Sequence, residues 1–343
     1  MKGFRLQGTL SSISLDNKSI YVHRPPSPTY REYLLHDLKA EYSKAYDYYI
    51  GFASGNFSFE QKRFMSCHNQ AVFSRNLTTG QVRVLARSCH LRFCPICNRF
   101  RQKLIRHNVA TWLGTKKYPK LLTLTLKHKN IDLREQIDKL YRCFRAFRRL
   151  KLIKKRVPAG IWFFQITRGQ NGKEWHPHLH CVITGGYLPK RELQRDWQRI
   201  TGESFMVDIR LIHDPVSAAC EVARYATQTC NVKTLNCEEM SDLDIALSHR
   251  RICGTWGSAR THRLTSSPQF VASDWQTVGS WSAVVGCYSS VPAAKAIYDS
   301  WSKGVPLSVG VSVVEFDDFV RGIPPPVETE IETVSCQPYW FEK

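Results

Sequence analysis

Trp175-His176-Pro177-His178-Leu179-His180-Cys181 is the stretch on which the fold and chemistry of this chain turn. Side chains on an extended strand alternate between its faces, so His176, His178 and His180 project to one side and Leu179 and Cys181 to the other. Neighbouring imidazoles on one face repel when charged and lose hydration when neutral. A bound divalent cation removes both penalties, although a single histidine is more often a hydrogen-bonded structural residue than a ligand.

Just upstream, Phe163-Phe164-Gln165-Ile166-Thr167 is an apolar run interrupted by Gln165. The turn signal Asn171-Gly172 predicts that a strand over 160–167 pairs as a hairpin with a strand over 178–184. Gln165 is then a candidate oxygen ligand beside His178 and His180, with His176 in reserve; an edge-facing amide is the equally weighted alternative. Two imidazoles and one oxygen leave positions open for water and phosphate oxygens, which suits Mg²⁺ or Mn²⁺ acting as a Lewis acid on a phosphodiester. Zinc is less favoured at that position.

Further outward, Leu121-Leu122-Thr123-Leu124-Thr125-Leu126 predicts a strand, and 132–153 a strongly basic amphipathic helix. A helix over 189–200, a strand over 205–212 and a helix opening at Asp214-Pro215 follow, the last with Asp as cap and Pro in the first turn. The order β-α-β-β-α-β-α predicts an α+β domain with one central antiparallel sheet. In the last helix Glu221 and Tyr225 stand one turn apart on a common face. Such a pair is ordinary helix decoration by itself; beside a metal-binding strand it offers a phenol to attack phosphorus and a carboxylate to activate water.

The chain has 343 residues, 49 Lys and Arg against 29 Asp and Glu, and a net charge of +20, which favours a polyanionic partner. Residues 301–343 hold three basic and seven acidic residues, so the basic character belongs to the body. The opening Met1-Lys2-Gly3-Phe4-Arg5 starts no apolar leader, and no run approaches a membrane span; a cytoplasmic protein is the expectation. Cys89-x4-Cys94-x2-Cys97, with Cys67 beyond a predicted hairpin, supplies four soft ligands for a closed tetrahedral Zn²⁺ site of structural rather than catalytic character. His68 and His90 adjoin these cysteines and are alternative fourth ligands, and separate buried thiols are the competing interpretation.

Taken together, the cysteine cluster, the threonine-rich strand, His178-Leu179-His180 and the Glu221/Tyr225 helix resemble, in that order, the HUH endonuclease superfamily. The resemblance is specifically to the rolling-circle plasmid replication initiators, and it spans roughly residues 64–260. It implies a nicking domain built on a sheet of the RNA-recognition or ferredoxin-like kind, with the histidines on a central strand. It further implies nicking of plasmid origin DNA, single-stranded or hairpin, by Tyr225 with a 5′-phosphotyrosine intermediate and a free 3′-hydroxyl primer. Glu221 would activate the water that ends the round, and a host helicase and polymerase would be the partners. Relatives often carry Glu or His where Gln165 stands, and a lysine at helical distance after the tyrosine, where this chain has Ala226-Thr227-Gln228-Thr229; Arg224 or Lys233 is left for that role.

The predicted divisions are a helical segment over 1–63, a zinc-ribbon-like unit over 64–110, the nicking domain over 111–260, and a C-terminal region over 261–343 with a flexible acidic tail. No chemistry-bearing motif occurs after Arg260. Arg142, Arg145, Arg148 and Arg149 on the basic helix and Arg99 and Arg101 beside the cysteines are the candidate DNA-backbone contacts. Competing functions are a mobilisation relaxase or a single-tyrosine transposase with the same chemistry, and a non-catalytic zinc-dependent nucleic-acid-binding regulator.

Overall fold

Period-two alternation and helical periodicity resolve into a mixed α/β structure with two antiparallel sheets. The computed structural model describes residues 28–52, 59–127, 132–168, 174–227, 230–266 and 272–307; the turn expected at Asn171-Gly172 and the tail after Pro324 lie outside them. In chain order the elements are α1 (Tyr30–Leu35), α2 (Lys39–Tyr46), α3 (Phe59–Ser66), β1 (Ala71–Asn76), β2 (Val82–Ala86), α4 (Pro95–Gly114), β3 (Lys120–Thr125), α5 (Leu133–Arg149) and α6 (Lys151–Arg156). They continue with β4 (Ala159–Arg168), β5 (Trp175–Thr184), α7 (Lys190–Thr201), β6 (Val207–Leu211), α8 (Pro215–Thr227), α9 (Cys237–Leu247), β7 (Cys253–Gly257), β8 (Trp275–Ser280), α10 (Trp281–Cys287) and α11 (Pro292–Lys303).

The larger sheet has five strands in the order β6-β3-β5-β4-β7. Every neighbouring pair in it is antiparallel. The run β3-α5-β4-β5-α7-β6 is a split β-α-β arrangement, and it puts β5, the histidine strand, in the centre. One face of this sheet buries Leu122, Leu124, Phe164, Leu179 and Cys181 with Ile137, Leu140 and Phe147 of α5 and Leu193 and Trp197 of α7. The other buries Leu121, Ile161, Phe163 and Val182 with Ile105 and Val109 of α4 and Ala219, Val222, Ala223 and Ala226 of α8. Small side chains on α8 let that helix approach the sheet closely, which places its one large aromatic residue, Tyr225, against the strand beneath.

The basic stretch expected as one helix is two. Leu150 takes extended backbone (φ −55°, ψ 141°) between α5 and α6, and α6 turns Ile153 into the core. The hairpin expected between the cysteines is β1-β2, and it belongs to a three-stranded sheet of order β2-β1-β8. The third strand comes from the region that carries no motif. Along β8 only Val278 is fully buried, so its alternation is too weak to register in the sequence. Trp281 of α10 stacks on Phe73 of β1 with ring centroids 5.4 Å apart, closing this smaller core. No helix among the described residues is long and apolar enough to cross a membrane.

At the edge of the larger sheet Gly160 of β4 pairs with Trp256 of β7, and the indole lies across it. A Cβ on Gly160 would fall 2.2 Å from the Trp256 ring. Gly160→Val is therefore expected to cost about 1–3 kcal/mol through forced repacking, read as a lower urea midpoint with an unchanged m-value.

Candidate active site

Because β5 is central, its histidines are flanked by neighbours on both sides. His180 pairs with Thr123 of β3 and Phe163 of β4, and His178 with Thr125 and Gln165. Each imidazole is tied through Nδ1 to a threonine hydroxyl, His180 to Thr123 and His178 to Thr125, both at 3.1 Å. The opposite nitrogens face β4: His180 Nε2 lies 2.8 Å from Gln165 Oε1, and His178 Nε2 lies 3.1 Å from Thr167 Oγ1. Orientation of a ligand imidazole through its second nitrogen is the usual support of a metal site. The structure thus brings Gln165, His178 and His180 together, with His176 farther along the same face, opposite Thr167. The two Nε2 atoms bond different side chains of β4, Gln165 and Thr167, and with the Gln165 oxygen they are neutral donors of the types that ligate divalent cations.

Tyr225 closes the site from above. Its ring stacks on His180 at 3.9 Å between centroids and 16° between planes. Its hydroxyl donates to Glu221 Oε1 at 2.8 Å. Arg210 of β6 holds the same carboxylate, with Nη2 at 2.9 and 2.8 Å from its two oxygens. Arg210 carried no sequence signal beyond its place on the outer strand, since its side chain meets Glu221 only in the folded protein. Thr123 and Thr125 were legible as the polar alternation of a strand, and the structure gives them their use as imidazole supports.

The electrostatics follow from burial. His178 is lowered from the ordinary 6.5 to about 4, first by burial and then by His176. His180 is lowered to about 3 by burial, then His178, then Arg210. Both rings are therefore neutral and able to ligate at neutral pH. Burial, followed by the bond to Glu221, pushes the Tyr225 phenol up to about 12. At neutral pH it stays protonated and needs a proton acceptor in contact to become a nucleophile.

Cys67, Cys89, Cys94 and Cys97 converge, all buried, with sulfur atoms within 4.8 Å of one another. The Sγ separations of 3.7 Å (Cys67 to Cys94), 3.5 Å (Cys67 to Cys97) and 3.6 Å (Cys89 to Cys97) approximate the edges of a tetrahedron with metal–sulfur bonds of about 2.3 Å. Hydrogen bonds among the four hold the Cys97 thiol well below its ordinary range and push those of Cys67 and Cys94 above theirs. His68 lies behind Cys67, Nδ1 to Sγ 3.1 Å, and stacks on Phe100, so the fourth thiol rather than an imidazole completes the set. Among the described residues this is the one group of three or more His, Cys, Asp or Glu side chains placed to share an ion.

The remaining candidates separate by environment. Arg142, Arg145 and Arg149 are exposed, and Arg148 lies half-buried over the ring of Phe144 at 4.7 Å. Arg99 instead meets Asp37 at 3.2 Å, and Arg101 bonds Asn98 Oδ1 beside the cysteines. Lys233 pairs with Glu41 at 2.9 Å, whereas Arg224 lies 5.7 Å from the Tyr225 ring centroid.

Two expectations follow. Unfolded histidine takes up protons below about 6.5, while folded His178 and His180 resist until about 4 and about 3. Metal-free protein should therefore lose stability as pH falls from 6.5 through 4; urea midpoints at pH 7 and pH 5 should show the drop, and a His178→Gln/His180→Gln variant should flatten it. At the cysteine centre, metal analysis should find about one zinc per chain, and Cys97→Ser should lose it together with at least several degrees of melting temperature.

A family model described as "Replication protein" matches residues 81–280 of the chain. The relatives include a "Protein rep" of Streptococcus pneumoniae, 27% identical over 57% of this chain and 68% of the relative. A "Protein rep" of Bacillus amyloliquefaciens is 25% identical over 64% of this chain and 76% of the relative, and one of Bacillus sp is 25% identical over 64% and 83%. No solved structure matches. The matched span takes in the histidine strand, the Glu221/Tyr225 helix and three of the four clustered cysteines, covers more than half of the chain, and makes this protein a member of the replication protein family.

Proposed function

We propose that the protein initiates rolling-circle replication of a plasmid by nicking and rejoining one strand of the origin, using an HUH-type site with Tyr225 as nucleophile. The observation that carries this reading is the Tyr225 ring stacked 3.9 Å over His180 with its hydroxyl 2.8 Å from Glu221. A phenol, a proton acceptor and a metal-binding imidazole pair meet at one point.

In the nicking step the Tyr225 oxygen forms a bond to phosphorus as the bond to the 3′-oxygen breaks, leaving the 5′-phosphate on tyrosine and a 3′-hydroxyl as primer. The phenolic proton passes to Glu221, the group already hydrogen-bonded to it, and from there to solvent, while the departing 3′-oxygen takes up a proton from water. Arg210 keeps that carboxylate in place through both oxygens. When bound, Mg²⁺ or Mn²⁺ held by His178, His180 and Gln165 would supply Lewis-acid polarisation of the scissile phosphate. In the closing step the ionised Glu221 accepts a proton from water, or from the incoming 3′-hydroxyl, as that oxygen displaces tyrosine from phosphorus, and it returns this proton to the departing phenolate. Cys67, Cys89, Cys94 and Cys97 would hold a structural Zn²⁺ that pins the start of α4, which packs beside α8. Exposed Arg142, Arg145 and Arg149 supply phosphate contacts.

Tyr225→Phe should abolish the DNA-linked species seen on a denaturing gel after incubation with Mn²⁺ and single-stranded origin oligonucleotide, with binding retained. Wild-type protein that never forms that species would refute the nicking mechanism. Glu221→Gln should still bind but nick about 10²- to 10⁴-fold more slowly; an unchanged rate would remove Glu221 from the proton transfer.

A further inference from the structure

On the face of the sheet away from Tyr225, where β4 and β7 meet α5, lies a cleft of about 460 Å³. That volume lies in the range of ligand-binding clefts. Its floor is Trp162, half-buried and one residue out of phase with the Phe163 that faces α8. Tyr141 and Phe144 hold the indole edge-on, with centroids 5.6 and 6.0 Å away. Gly254 pairs with Trp162 across β4 and β7, and a Cβ there would lie 2.8 Å from the indole Nε1. The indole is thus braced from the sides by rings and seated over a residue with no side chain.

Arginines form the rim. Arg142, Arg145 and Arg251 line the cleft and are exposed. Its carboxylate, Asp138, is matched by Arg250 in a two-point ion pair at 2.8 and 3.0 Å, so Arg142 and Arg145 have no acidic group of the cleft to neutralise them. Among the described residues Arg142 and Arg145 have no acidic partner, unlike Arg92, Arg99, Arg168 and Arg210. Beside them Arg148 is pressed between the rings of Phe144 and Trp256, and its buried Nε has no hydrogen-bond partner among the described residues. Like-charged guanidiniums held this close on one helix face repel unless an anion joins them. Tyr141 donates to the Arg251 carbonyl at 2.6 Å, so the far wall is fixed rather than formed on binding.

We propose that this cleft is a second nucleic-acid site, in which one unstacked nucleobase of single-stranded DNA lies on Trp162 and its flanking phosphates meet Arg142, Arg145 and Arg251. A flat aromatic floor ringed by cations matches a π-faced base between two phosphates, the combination by which single strands are held without sequence preference. The choice of DNA as ligand rests on the nicking reading above. A strand held at Tyr225 and continuing over the β7 edge would reach the opposite face of the sheet, so the cleft would hold DNA away from the cut.

The test uses the full chain carrying Tyr225→Phe, so that binding is scored without chemistry, and measures anisotropy of labelled oligothymidylate over a range of salt concentrations. Trp162→Leu should weaken binding roughly 5- to 150-fold with an unchanged salt slope. Trp162→Phe should recover most of the affinity. Arg142→Ala/Arg145→Ala should lower the slope of log affinity against log salt by about 0.7 per residue. A blunt duplex should respond to the arginine variant and not to Trp162→Leu. Photocrosslinking of 5-iododeoxyuridine in the oligonucleotide should label the peptide that contains Trp162, a readout independent of whether Trp162→Leu folds. Unchanged affinity in folded Trp162→Leu, equal losses for duplex and single strand, or crosslinks mapping only elsewhere would overturn the proposal. Covalent adduct formation by the protein with Tyr225 intact, scored separately, reports on the nicking mechanism alone.

Discussion

Everything at the candidate active site depends on the register of one central strand. With β5 bonded to β3 and β4 along its length, the period-two alternation assigns Leu179 and Cys181 to the α5/α7 core and His178 and His180 to the face beneath α8. A slip of one residue would bury imidazoles among leucines and deliver Leu179 to the site, so the hydrophobic core and the chemistry enforce the same pairing. The threonines of β3 follow from it, because Thr123 and Thr125 meet the histidines only in that register.

The same face resolves a conflict between burial and reactivity. Burial depresses both imidazoles and so keeps their lone pairs available, yet it also raises the Tyr225 phenol to about 12. A phenol that hard to ionise could act as a nucleophile only with an acceptor at hand, and α8 places the Glu221 carboxylate a single turn away. Glu221 would in turn swing freely were it not held by Arg210 from β6. The imidazole pair of β5, the phenol and carboxylate of α8 and the arginine of β6 thus come from three different elements, and the alanine-rich inner face of α8 lets its phenol approach the sheet closely.

Away from this face, the two ends of the molecule are organised by different means. The smaller sheet has its own aromatic core of Phe73, Trp281, Val284 and Ile297. Next to it the four buried cysteines gather residues from before β1, after β2 and the start of α4, where apolar packing alone would leave loops and a helix terminus weakly fixed. A tetrahedral ion there would fasten α4, and through α4 the helix that carries Tyr225.

Local pattern was enough wherever spacing carries the physics. Alternation in 121–126 and 178–184, the Asp214-Pro215 helix start, the cysteine spacing and the one-turn interval between Glu221 and Tyr225 are all visible in the chain, as was the chain order of the first four strands of the larger sheet, whereas its edge strand β7 was not. The residues around the metal-binding pair were half legible: Gln165 stood out as a break in an apolar run, but its 2.8 Å approach to His180 needed the hairpin register. Contacts between distant segments were not legible at all. Arg210 of β6 reaches Glu221 of α8 only in the folded protein, β8 joins the cysteine-flanked hairpin with a single buried valine to announce it, and Arg99 and Arg101 turn toward Asp37 and Asn98. The sequence by itself determined which chemical groups the protein owns and which strand and helix carry them, because those depend on periods of two and 3.6. Only the tertiary structure decided which groups meet, since side chains far apart in the chain are brought together by packing that no local spacing records.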